Sequence, residues 1–403
     1  MTSRNAGKKI IFVAATRQHV GKTSASLGII SGLKKRFDNV GYIKPVGQQH
    51  EKTSEGILVD KDVSLMKEFF GLRCRYEDMS PVLIPAGYTR DYIDGKVTAG
   101  DQLKDVRAAF QNVLDESDVV VLEGTGHTAV GSVVDLNNAQ VAKALNADMI
   151  LVANGGLGSA YDELELNRGI CEKYGIKVRG VLLNKVVPCK LEMVKEYFGK
   201  LLKSWDVPLL GVVPDEPYLA RPALVDLEKI FKTKLLAGFE NRRHPHYSIK
   251  DTLMAATGLG VFLEILESGP PNPLVVTHCT RNDIVLGFYA HALKVKERGH
   301  RFEGALVLTG HDRRPVSYVE NLLKMHNIPS IVSNISTYET MDKIRSYTPK
   351  LHKDDLVRVQ LAVSHYEPYI DFDTLLTARF QPLAARATYL IASSACCLVV
   401  PFF

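Results

Sequence analysis

Lys9-Ile-Ile-Phe-Val-Ala-Ala15-Thr-Arg-Gln-His-Val-Gly21-Lys22-Thr23-Ser24 runs from an apolar stretch, through a short polar loop, into residues patterned as a helix. A strand that leads through such a loop into a helix N-terminus can cradle phosphate on successive backbone N–H groups. In that frame Lys22 supplies a cation for the terminal phosphates and the Thr23 hydroxyl a ligand for Mg²⁺, with Gly21 and Ser24 completing the cradle. The fit is imperfect, because Ala15 stands where a glycine is usual and the loop is one residue longer. A Gly-Lys-Thr tripeptide alone also occurs by chance, so the reading rests on its position between strand and helix.

Three further segments place matching chemistry at the same sheet edge. Val119-Val-Val-Leu-Glu123-Gly-Thr-Gly126 ends an apolar run in a carboxylate able to hold Mg²⁺ directly or through water. Gly41-Tyr-Ile-Lys44-Pro45 ends another in a cation, and Asp62 offers a second carboxylate. Each has a plainer alternative: a strand-end acid capping a turn, a solvated lysine, an acid in a helix-opening turn.

Around these segments, short apolar runs alternate with amphipathic stretches. Strands are expected at Lys9–Ala15, Val40–Pro45, Val119–Glu123, Met149–Ala153 and Arg179–Lys185. Helices are expected between them at Thr23–Lys35, Gln102–Leu114, Ala139–Leu145, Ala160–Tyr174 and Lys190–Leu202. This is the rhythm of an α/β domain with a doubly wound, mostly parallel sheet, whose ligand sits at the carboxyl ends of its strands. After Pro270-Pro271-Asn272-Pro273 a second rhythm begins, with strands at Leu274–Thr277, Gly304–Thr309 and Ser330–Ser333 and helices between and after them, a smaller α/β unit. The expected organisation is a nucleotide-binding domain at 1–222, a second domain at 223–375 and an apolar tail at 376–403. His244 and His246 lie in a polar, turn-prone stretch and read as a solvated loop, since no carboxylate or cysteine follows at zinc spacing.

Composition narrows the function. A chain of 403 residues with 24% charged residues and a net charge of +5 is globular, and too weakly basic to imply nucleic acid or a membrane surface as partner. The first residues lack the apolar core of a secretion signal, and the six cysteines have no metal or disulfide spacing, so a cytoplasmic protein is expected. The apolar run near the end is too short to span a bilayer.

The series of motifs resembles dethiobiotin synthetase and its relatives among the cobyrinic acid amidases. It is carried by the phosphate loop, Lys44-Pro45, Glu123-Gly-Thr-Gly126, Leu151-Val-Ala-Asn-Gly-Gly-Leu-Gly158, Gly180-Val-Leu-Leu-Asn184 and Pro208-Leu-Leu-Gly-Val-Val-Pro214. The resemblance implies ATP and Mg²⁺ as cofactors. Lys22 and Lys44 would contact phosphates, as the catalytic pair if the chain is an enzyme; Thr23, Asp62 and Glu123 would serve the metal; Asn184 and the Pro214 loop would hold adenine. Two positions depart from that family: Arg17 stands where an acid is usual, and His127 ends the Glu-Gly-Thr-Gly segment. From about Val225 to Asp373 the chain resembles a DRTGG domain, carried by Thr280-Arg281-Asn282-Asp283, Leu308-Thr309-Gly310-His311, Ile328-Pro329 and Thr337-Tyr-Glu-Thr340. Thr280 and His311 replace two residues of the name motif. A helix N-terminus beside Arg281 and Thr309-Gly310 is a candidate anion site.

The whole arrangement resembles the N-terminal, regulatory half of long bacterial phosphate acetyltransferases. That implies an ATP- and Mg²⁺-binding protein with a regulatory or metabolite-sensing role, with nucleotide and a small anionic metabolite as ligands, and self-association. Acetyl transfer to phosphate is not expected, because the chain ends soon after the DRTGG-like region. The alternative is an ATP-dependent ligase that activates a carboxylate or carbamate.

Overall fold

The computed structural model describes residues 8–311 and 313–377. They form two compact units, 8–216 together with 351–377, and 217–350.

In the first unit the strands are β1 (Lys9–Ala15), β2 (Val40–Ile43), β3 (Val119–His127), β4 (Met149–Asn154), β5 (Val178–Val186) and β6 (Leu209–Pro214). They form one sheet in the order β6-β5-β4-β1-β3-β2, and every pairing is parallel. Ile11 to Ala14 and Val119 to Leu122 are fully buried, because helices cover both faces. The main helices are α1 (Lys22–Lys34), α2 (Lys61–Phe70), α3 (Ala99–Asp115), α4 (Asn138–Leu145), α5 (Gly158–Lys173) and α6 (Leu191–Lys203). Their starts are chemically marked: Asp60 caps α2, Thr98 caps α3, and Asn137 with Gln140 forms a capping box on α4. Since β1 lies between β3 and β4, the chain leaves β1 in one direction and later returns on its other side. The crevice at the carboxyl end of β1 is therefore the switch point of the sheet, where open α/β folds take ligands.

The second unit has β7 (Leu235–Ala237), β8 (Leu253–Met254), β9 (Leu274–His278), β10 (Ala305–Thr309) and β11 (Ser330–Ser333), in the order β7-β11-β10-β9-β8. Only β7, at the edge, runs antiparallel to its neighbour. Its longer helices are α7 (Leu224–Phe231), α8 (Leu259–Ser268), α9 (Asn282–Glu297), α10 (Ser317–Met325) and α11 (Thr337–Ser346). One apolar cluster, centred on Phe262, Phe288 and Leu306, fills one side of the sheet. Another, with Leu227, Tyr247 and Ile344, fills the other.

The expected limits of the second domain, 223–375, are redrawn. After Lys350 the chain rejoins the first unit, and α12 (Leu356–Tyr366) and α13 (Phe372–Thr377) lie against it. The reason is steric: α1 carries Gly28 and Gly32 one helical turn apart. A Cβ at Gly28 would meet that of Tyr366 at 2.6 Å, and one at Gly32 would meet the Phe372 ring at 2.0 Å. Two glycines thus open a trough that the returning segment fills. Glu367 secures it by accepting from Ser31 at 2.7 Å and pairing with Lys35.

The solvated-loop expectation is also corrected for His246, which is buried at 1% exposure and bonded to the Tyr218 hydroxyl at 2.9 Å. The apolar tail expected at 376–403 lies outside the described residues, save 376 and 377. Among the described residues no helix is long and apolar enough to cross a membrane.

Candidate functional site

Gly21 is the hinge of the phosphate loop. Its φ of 99° lies in the left-handed region, and a Cβ there would approach Asn184 Nδ2 to 2.3 Å, so the position requires glycine. The helix that follows opens on Lys22, Thr23 and Ser24, as the sequence predicts.

Thr23 Oγ1 donates to Glu123 Oε1 at 2.9 Å, and Tyr42 Oη donates to Glu123 Oε2 at 3.0 Å. The three side chains come from the start of α1, the body of β3 and the adjacent β2, where Tyr42 pairs with Val121, two residues before Glu123 and on the same face of β3. Glu123 is fully buried. Burial and the nearby Asp62 charge push its carboxyl above the usual range, against the pull of Lys44 and Lys22.

The two lysines differ. Lys44 is buried, pairs with Asp60 at 3.0 Å and also with Asp62. Although burial favours its neutral form, the charges of Asp62 and Asp60 hold it above the usual lysine value. Burial raises Asp62 as well, yet Lys44 outweighs it and holds the carboxyl at about 2. Asp60 is fixed in turn: it accepts from the Asp62, Gln48 and Gln49 backbone N–H groups at 3.0, 3.0 and 3.2 Å. The Lys22 ammonium has no hydrogen bond or ion pair among the described residues. Burial pushes it below the usual value, only partly offset by Glu123. A desolvated, unpaired lysine in a backbone cradle is a site prepared for an anion.

Mg²⁺ fits this donor set. Two buried carboxylates, Glu123 and Asp62, stand together, burial and then the repulsion of the Asp62 charge raising Glu123, and a threonine hydroxyl donates to Glu123. Hard oxygen donors of this kind suit a divalent cation, whose charge relieves the repulsion. Lys44 is its competitor for Asp62.

Asn184, expected at the base, is fully buried, donates from Nδ2 to the Val20 carbonyl at 2.6 Å and so buttresses the loop. The Pro214 carbonyl lies 2.8 Å from His365 Nε2 on α12. Next to it Tyr366, with only 4% exposure, engages Asn184 and Ser24 through its hydroxyl. The side of the loop facing Asn184 and Pro214 is thus walled by the returning segment. Arg17 pairs with Glu163 at 3.4 Å, and His127 Nδ1 accepts from the Ala129 N–H at 3.3 Å, a histidine that closes a turn. In the second unit Arg281 binds both oxygens of Asp283 at 2.9 and 2.8 Å, so the charge of that candidate anion site is already matched.

Sequence reasoning did not single out Tyr42 and Asp60, which orient Glu123 and Lys44. Tyr42 sits in the quoted Gly41–Pro45 segment and Asp60 two residues before Asp62, and the alternation of β2, with Tyr42 and Lys44 on one face, is the signal that would have found Tyr42. His365 and Tyr366 had no local signal.

With this geometry in place, comparison with known proteins is informative. Over 391 residues, 94% of this chain, it is 24% identical to the phosphate acetyltransferase of Nitratidesulfovibrio vulgaris and covers 53% of that protein. It is 26% identical over 378 residues to the phosphate acetyltransferase of Pseudomonas putida, covering 50% of it. The chain thus spans about half the length of these relatives. Over 225 residues, 55% of this chain, it is 30% identical to the ATP-dependent dethiobiotin synthetase BioD of Methanococcus vannielii and covers 99% of that protein. Among solved structures, the MinD cell division protein of Aquifex aeolicus aligns with 52% of this chain and 84% of its own at 16% identity and a TM-score of 0.33. Residues 9–223 match the AAA domain family AAA_26. The family match over more than half of the chain decides the assignment: the chain belongs to the AAA_26 family of AAA domains and is homologous to dethiobiotin synthetase and to phosphate acetyltransferase.

Proposed function

We propose that the first unit binds ATP with Mg²⁺ on the phosphate loop, and that binding serves a regulatory or metabolite-sensing role rather than a chemical one. The observation that carries the nucleotide site is the contrast between its lysines: Lys44 is locked between Asp60 and Asp62, whereas Lys22 is desolvated without a partner beside the Thr23–Glu123 hydrogen bond. Lys22 would hold the terminal phosphates, and Thr23, Glu123 and Asp62 the metal, which when bound would neutralise phosphate charge. The regulatory reading is favoured by Arg17 and His127, since one is paired with Glu163 and the other is engaged in its own turn. The similarity of about half of phosphate acetyltransferase to nearly the whole chain supports the same reading. On this reading the second unit is a DRTGG-like module that carries the metabolite.

A second reading, an ATP-dependent ligase acting on a carboxylate or carbamate, is favoured by the end-to-end similarity to dethiobiotin synthetase. Equilibrium binding of a fluorescent ATP analogue with Mg²⁺ tests the site. Lys22→Ala should weaken binding by about 30-fold or more, the loss expected for a charged phosphate contact in a sheltered cradle. Equal binding by both chains would refute the nucleotide site. ATP turnover that depends on an added diamine or dicarboxylate would overturn the regulatory role in favour of the ligase.

A further inference from the structure

A pocket of about 570 Å³ opens in the second unit along the edge strand β7. Its floor is the antiparallel β7–β11 pair, in which Leu235 faces Ile331 and Ala237 faces Ser330. The Thr233 hydroxyl donates to the Val332 carbonyl at 2.9 Å and fastens one end. The Gly238 N–H donates to Asn327 Oδ1 at 2.8 Å and fastens the other. Lys234 and Asn334 therefore lie at one end, at the carboxyl terminus of parallel strand β11, and Phe239 at the opposite end, with Arg314 and Lys324 completing the wall. Carboxyl ends of parallel strands are where open α/β sheets receive ligands.

The charge of this lining is one-sided. Three of its described side chains are basic and none is acidic. Lys324 pairs with Glu320 at 2.6 Å, whereas Lys234 and Arg314 have no ion-pair partner among the described residues. Some cations elsewhere in the unit are paired, as in Arg242–Glu228, Arg281–Asp283 and Lys294–Glu267. Two cations without an ion-pair partner among the described residues, facing a shared cavity, give it a positive field. Phe239 adds an apolar surface: it is 57% exposed although it lines a concave site. The volume is that of a small-molecule pocket. From Lys234 to Ala237 the strand extends about 10 Å, more than an inorganic phosphate can bridge.

We propose that this pocket binds a small organic phosphate, its anionic group on Lys234 and Arg314 and its apolar or planar part against Phe239. The site is separate from the phosphate loop and does not depend on the nucleotide reading.

Calorimetric titration of the full chain tests it, with Lys22→Ala introduced to silence the phosphate loop and with AMP and inorganic pyrophosphate as probes. AMP is expected to bind this chain. Adding K234A and R314A should weaken it about tenfold or more, the scale of losing charge-assisted contacts to phosphate. Phe239→Ala should weaken AMP while leaving pyrophosphate unchanged. All three substitutions are at exposed positions, and an unchanged melting temperature would show that the fold is intact. The proposal is overturned if AMP fails to bind at about millimolar concentration, if K234A and R314A leave its affinity unchanged, or if Phe239→Ala affects both probes equally. Loss of nucleotide binding by Lys22→Ala alone bears on the phosphate loop and leaves this test untouched.

Discussion

Gly32→Ala should separate helix propensity from the docking of the returning segment. Alanine in the interior of α1 favours the helix by about 1 kcal/mol over glycine, so in an isolated helix the substitution stabilises. Here its Cβ would lie 2.0 Å from the Phe372 ring, which is 5% exposed and has the Arg36 guanidinium 4.4 Å from its centroid. Overpacking of this kind costs about 1–3 kcal/mol, which cancels or exceeds the gain, and the net expectation is a loss of up to about 2 kcal/mol. Phe372→Ala alone should cost about 3–5 kcal/mol as a buried aromatic deletion. Once the ring is gone, Gly32→Ala should change sign and stabilise by about 1 kcal/mol. The assay is urea unfolding followed by fluorescence of Trp205, the single tryptophan, which lies in the first unit against Tyr161 with ring centroids 4.8 Å apart. If Gly32→Ala stabilises the parent chain as much as it stabilises the Phe372→Ala chain, the ring does not occupy the trough and the account of the returning segment is wrong.

The lysines of the site should respond oppositely to removal. Lys44→Ala strands Asp60 and Asp62 as buried unpaired charges and should cost about 3–5 kcal/mol in the Trp205 transition, whereas Lys22→Ala, removing a desolvated and unpaired charge, should leave stability unchanged or raised. Equal losses would show that Lys22 is structural. Tyr366→Phe removes the hydroxyl that engages Ser24 and Asn184 and should cost about 0.5–1.5 kcal/mol; a neutral result would mean that these contacts are replaced by water. Alkylation mapped by peptide mass should modify exposed Cys189 rapidly and buried Cys171 only on unfolding. Burial pushes the Cys171 thiol up to about 12. Raising the pH from about 7 to 9, across the ordinary thiol range, should therefore leave Cys171 protonated and protected. Modification of native Cys171 would contradict its burial.

Much of the sheet was legible because its signals are local. Residues 149–154 and 330–333 are short, apolar and bounded by polar turns, and both are strands close to where alternation placed them. The ends were less legible: β3 runs on to His127, four residues past Glu123, because pairing with β1 persists through the Gly-Thr-Gly segment with an irregularity near Ala15. Edge strands β7 and β8 are three and two residues long, too short for any periodic signal. Of the site, Lys22, Thr23, Lys44, Asp62 and Glu123 were all legible as strand-end or helix-start residues. Their division of labour was not: whether a lysine is locked or unpaired depends on acids delivered by other segments.

The amino-acid sequence by itself determined the alternation of strands and helices and the phosphate loop at the carboxyl end of β1, because hydrophobic period, capping residues and the Gly21-Lys22-Thr23 turn act within a few residues. Tertiary structure alone decided that residues 351–377 belong to the first unit, that Tyr366 and His365 wall the loop, and that Lys44 rather than Lys22 is neutralised. Ser31 and Glu367 are 336 positions apart, and no pattern within either segment announces the other. Their meeting depends on the shape of a trough between glycines, a property that exists only once α1 is folded and packed on its sheet.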